Sequence, residues 1–260
     1  MTPSIFDTLS ISIIYIGLCL MMLIAFEIGY QINRRYIGLK DKIEPATLSP
    51  MIGGLIGVLG FLLAFTFSIA TEQFSQRKQY VLEEANEIGT AYLRTDLIDS
   101  LHKNEVKQLL REYVDTRLKA VSSTNINNEL IKSVELHRLL WREVSAAALA
   151  KPDENSSLMI QSINNIIDLH EKRVTAGLRN RIPISIWITL LAISFMTMIT
   201  IGIKAGFTKP RGLIAVIPMI LAFAALTTLI VDLNRPQKGL FKVGQQSMIS
   251  VQKNMLKDIK

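Results

Sequence analysis

The chain has 260 residues, 49% of them hydrophobic and 20% charged, with a formal net charge of +7. These figures exclude an ordinary soluble domain unless apolar and charged residues are segregated. They are: windows 11–30, 51–71, 184–203 and 213–231 hold almost no charge.

Each window is about 20 residues long, which at roughly 1.5 Å per residue matches a hydrocarbon core of about 30 Å. Lipid offers the backbone no hydrogen-bond partner, so each window is predicted to cross as a helix. The expected fold class is an all-α membrane protein: four transmembrane helices in two pairs, with a helical extramembrane bundle between them. The expected divisions are 1–71, 72–183, 184–231 and an amphipathic tail, 232–260. The first ten residues, MTPSIFDTLS, lack the Lys and Arg of a secretory leader, so the first span is expected to be retained. A single cysteine, Cys19, lies in that span, and no intrachain disulfide can form.

A basic loop, QINRRYIGLKDKIEPATLSP, leads to the second span, expected to start after Pro50 and end near Glu72. Residues 81–98 read as its continuation into water. Val106, Leu109, Leu110, Tyr113, Val114 and Leu118 then recur at helical spacing, as do Leu130, Val134, Leu136, Leu139, Leu140 and Trp141. KPDENSS is a break, and a third helix over 158–178 returns to the membrane at Pro183. The last two spans are joined by the tight turn KAGFTKPRG, with Pro218 predicted to kink the fourth. Between Glu72 and Pro183 sixteen acidic residues balance sixteen basic ones. The basic excess therefore sits in short loops, helix ends and the tail, where it suits anionic headgroups and forms no nucleic-acid patch.

The sequence carries no HExxH, CxxC, phosphate-binding glycine loop or nucleophile elbow, so no enzyme, cofactor or metal is expected. His102, His137 and His170 are far apart and flanked by charges, and are expected to be solvated or partner-facing. The EEANE run over 83–87 reads as a solvated face. The second span holds the informative pattern. Gly53, Gly57 and Gly60 admit close backbone approach, and Phe61 and Phe65, one turn apart, suit a hydrophobic constriction. The same spacing also reads as a GxxxG packing face with both phenylalanines toward lipid. Glu72 and Asp232 close their helices on one side of the membrane, as a charged mouth if copies surround an axis, or as helix anchors or partners of Arg235.

The segment GVLGFLLAFTFSIATEQFSQRKQYVLEEANEIGTAYLR, from Gly57 to Arg94, together with DLNRPQKGLFKVGQQ, from Asp232 to Gln246, resembles a bacterial bestrophin-like family. More distantly, the chain is similar to bestrophins, homopentameric ion channels whose second helix lines an apolar neck. That resemblance implies a pore constriction at Phe61 and Phe65, with Gly57 one turn before. Where bestrophins carry an aromatic pair and a basic residue, this chain has Thr71, Glu72, Gln73 and Phe74, and DLNRPQKG shows no calcium clasp. The expected partners are further copies of the chain, the lipid bilayer and a permeant inorganic ion, in a bacterial inner membrane. The alternative is a membrane-anchored scaffold or sensor whose 106–118 stripe serves a partner. Arg34, Arg35, Lys40, Lys42, Lys204, Lys209 and Arg211 lie on one side, and nine Lys or Arg lie within about 20 residues of the spans on the other. The tight basic turns point to a helical domain outside the cell. The family resemblance points inward, and a cytoplasmic domain is the expectation adopted.

Overall fold

The computed structural model describes residues 9–37, 45–98, 100–122, 125–207, 212–235 and 239–258. Lys40, Lys42, Lys209, Arg211, most of MTPSIFDTLS and residues 236–238 of DLNRPQKG lie outside them. The described residues contain helices and no strand. In chain order the helices are α1 (Ile11–Ile32), α2 (Pro45–Arg94), α3 (Ser100–Ser122), α4 (Ile126–Ala150), α5 (Glu154–Val174), α6 (Ile184–Ala205), α7 (Leu213–Asn234) and α8 (Gln246–Lys257). Four of them contain stretches long and apolar enough to cross a membrane. The second span starts earlier than expected, at Pro45, and runs through Pro50 without a break. Two compact units result, Met1–Phe74 with Arg181–Lys242 and Ser75–Asn180 with Val243–Lys260.

In the first unit, Ser10 caps α1 by accepting from the Ile13 amide at 3.3 Å. α1 and α6 cross with their backbones in contact. A Cβ added at Gly29 would lie 2.0 Å from the Ile199 carbonyl oxygen, and one at Gly202 would lie 2.0 Å from that of Phe26. Only glycine fits at such a crossing, and the close approach brings dispersion contacts that lipid cannot outcompete. One turn on, the Asn33 side-chain amide donates to the Ile203 carbonyl at 2.5 Å. α2 joins this unit by side chains: Leu59, Leu63 and Ala70 share a core with Ile14, Trp187, Leu190 and Ile230.

The second unit is a helical bundle. Ala85, Ile88 and Tyr92 of α2 pack with Val106, Leu110 and Val114 of α3, Leu136 and Leu140 of α4, and Met159, Ile163 and Ile166 of α5. The 106–118 stripe is consumed inside this core and is not left for a partner, which removes the feature on which a scaffold reading leaned. The tail completes the same core: Met248 and Met255 of α8 are buried there, and the Tyr92 hydroxyl donates to the Met255 carbonyl at 3.4 Å. KPDENSS ends α4 and starts α5, with the Asp153 carboxylate accepting from the Ser156 amide at 2.8 Å.

Candidate functional site

Within the first unit, one side of α2 is packed and the other is bare. Leu59, Leu63, Thr66 and Ala70 are buried at three- and four-residue spacing. Opposite them, Gly53, Gly54, Gly57, Gly60, Phe61, Ala64, Phe65, Ser68, Thr71 and Glu72 are exposed. A Cβ at Gly53, Gly57 or Gly60 would meet nothing within 4 Å, so none of these glycines serves packing inside one subunit. Phe61 and Phe65 are 69% and 53% exposed and stack on each other, ring centres 6.4 Å apart and planes at 12°. The Thr71 hydroxyl donates to the Phe67 carbonyl of its own helix at 2.9 Å.

The bare faces differ in chemistry. The exposed side of α1 is Ile13, Ile16, Leu20, Ile24 and Ile28, which suits acyl chains. That of α2 mixes Met51, Val58 and the two phenylalanines with glycine, alanine, serine and threonine. Asp232, unlike Glu72, is buried. Its carboxylate accepts from the Leu240 amide at 3.0 Å and from the Phe241 amide at 3.0 Å, fixing a turn after α7. Gly239 adopts φ +152°, and a Cβ there would lie 2.2 Å from the Asp232 oxygen. Arg235 donates to the Leu9 carbonyl at 2.8 Å.

The bundle hides a polar cluster that the sequence reading missed. Glu84, from the EEANE run, is fully buried and not solvated. It accepts from the Tyr113 hydroxyl at 2.6 Å and from Arg173, and its Oε1 lies 3.1 Å from Arg117 Nε. Arg173 also donates to the Gln245 side chain at 2.7 Å, tying in the tail. Burial pushes the Glu84 carboxyl up, but Arg117, Arg173 and Tyr113 outweigh it and hold the group at about 2. His137 and His170 are buried as well, correcting the expectation of solvated histidines. Their rings meet edge to face at 4.7 Å, and His170 Nδ1 is 3.3 Å from the Tyr113 hydroxyl. Burial, with Arg117 nearby, lowers His137 to about 4 and His170 to about 3. His102 is half-buried, its Nδ1 3.2 Å from the Glu143 carboxylate of the same bundle.

A helical signal for this cluster was present. Glu84 follows Val81 by three residues, Arg117 follows Tyr113 by four, and His170 follows Ile166 by four. Each polar group thus sits on the apolar stripe of its helix, where only a partnered group survives burial. Among the described residues, no three His, Cys, Asp or Glu side chains converge to hold a metal ion.

The sequence model of the Bestrophin-like domain matches residues 19–248. No curated protein matches the chain by sequence. Among solved structures, the fold is similar to a bacterial bestrophin homologue from Klebsiella pneumoniae. It shares 14% identity and a TM-score of 0.69, with 95% of this chain and 98% of that one covered. A mutant of the same homologue matches at 14% identity, TM-score 0.71 and the same coverage. A crystal structure described as a mutant membrane protein matches at 15% and 0.71, covering 95% and 97%.

Proposed function

Because the chain belongs to the Bestrophin-like family, we propose that it assembles into a pentameric ion-conducting pore with α2 nearest the axis. The observation that carries this reading is the bare face of α2. A helix side on which glycine, alanine, serine and threonine outnumber the large apolar side chains packs closely against copies of itself or lines a passage. Cyclic symmetry turns one side chain into a ring. Phe61 and Phe65 then form the constriction, closed by dewetting. Gly53, Gly57 and Gly60 let neighbouring α2 helices approach. Glu72 stands at the mouth with Asp232 behind it, the latter holding the turn at 239–241. A ring of carboxylates there favours cations. The bundle lies on the cytoplasmic side of a bacterial inner membrane.

The test is ion flux from liposomes containing the purified protein. Phe65→Ala is expected to raise the leak several-fold over the parent. Silence from both proteins, with the protein confirmed in the bilayer, ends the channel reading.

A further inference from the structure

The bundle carries two unlike surfaces that its own folding leaves uncovered. On α4, Ile131, Val134, Arg138 and Trp141 are exposed at three- and four-residue spacing. The sequence pattern puts Val134 and Trp141 with the core stripe, yet they are 59% and 42% exposed, beside an Ile131 at 69%. Leaving such side chains in water forgoes their burial energy. Tryptophan and arginine together are also what dominate binding at protein interfaces. The neighbouring charges are Lys132, Glu135 and Arg142, of which Lys132 pairs with Glu112 and Arg142 with Glu143. The ridge is therefore apolar, and Arg138 is its cation outside those two pairs, one turn from Glu135.

Between α2 and α5 of the same bundle lies a cleft of about 330 Å³, lined by Glu83, Asn86, Glu87, Asn165, Asp168 and Lys172. Three carboxylates there face one ammonium group. A two-fold dimer can bury ridge against ridge, but it leaves the cleft uncovered or sets its carboxylates against a second set. A closed ring has the opposite requirement: each copy must offer two different surfaces, one for each neighbour.

We propose that the α4 ridge of one copy seats in the α2–α5 cleft of the next, Arg138 meeting the Glu83, Glu87 and Asp168 carboxylates while Val134 and Trp141 pack on the flanking helix walls. This rests on the ring reading above and adds which water-exposed surfaces touch. Guanidinium suits such a cleft because its fork can engage two carboxylates at once.

The experiment uses the full chain in detergent, with Cys19→Ser to remove the natural thiol, and a short bifunctional maleimide. Arg138→Cys combined with Glu87→Cys is expected to yield a covalent ladder beyond dimer, and each single cysteine none. Separately, Arg138→Glu is expected to reduce the assembled fraction at low protein concentration about tenfold, and adding Glu87→Arg to restore it. A ladder that stops at dimer overturns the proposal. So does an intact ring by native mass that gives no cross-link and leaves Trp141 open to chemical modification, which would mean that no copy covers the ridge. A parent protein that is monomeric at every concentration removes the ring reading itself, and this contact with it.

Discussion

Glu84 lies at the centre of the bundle's polar cluster, and the cluster's chemistry sets how the bundle responds to acid. His137 and His170 are held neutral, at about 4 and about 3, against an ordinary value of 6.5. Their folded values are depressed, so the unfolded chain takes up protons first as the pH falls below 6.5. Stability is lost from there down through the folded values, on the order of 3 kcal/mol for His137 by pH 4. Glu84, depressed from 4.5 to about 2, adds to the loss below pH 4.5. Protection of the α3, α4 and α5 amide hydrogens, referenced to their slower intrinsic exchange in acid, should therefore fall between pH 6.5 and pH 4, and His137→Phe should flatten that profile. Glu84→Gln is expected to cost about 3–5 kcal/mol at neutral pH, because two buried arginines lose their counter-charge. Thermal unfolding of the detergent-solubilised protein reads that loss. The sequence could locate these residues on apolar stripes but not bring them together, since Glu84 and Arg173 are paired across 89 positions of chain.

At the scale of elements, the spans were legible and their pairing was not. Hydrocarbon thickness imposes a length that any apolar window must meet, so the windows over 11–30, 51–71, 184–203 and 213–231 stand out unaided. The α1–α6 crossing depends on Gly29 and Gly202, single glycines on separate spans with no local pattern to link them. The visible glycine pattern lies at Gly53, Gly57 and Gly60 instead, where the lone subunit has open space. Substitutions should separate the two roles. Gly202→Val drives a side chain into the Phe26 carbonyl and is expected to abolish recovery of folded protein. Gly57→Ala meets no atom in its own subunit, and its cost should appear only in the assembled particle. Comparing melting of monomer and assembly for both variants distinguishes a crossing glycine from an assembly glycine.

For the whole molecule, fold class and topology follow from the segregation of charge, while the use made of α2 depends on copies that one sequence does not display. Phe61 and Phe65 read equally as lipid-facing or axial from spacing alone. Their placement on the same side as Ser68, Thr71 and Glu72, opposite the packed row, favours the axial reading. Glu72→Lys is accordingly expected to shift the reversal potential in a salt gradient away from cations. Asn155→Cys, in a Cys19→Ser chain, should resist an impermeant thiol reagent in intact cells and react once they are opened, as a cytoplasmic bundle requires. Thr71 adds a polarity of its own. Its hydroxyl proton is spent on the Phe67 carbonyl, so in the proposed ring these hydroxyls would turn lone pairs, not hydrogens, toward the axis. A dehydrating sodium or potassium ion would find ligands in such a ring, and chloride would find no hydroxyl donor.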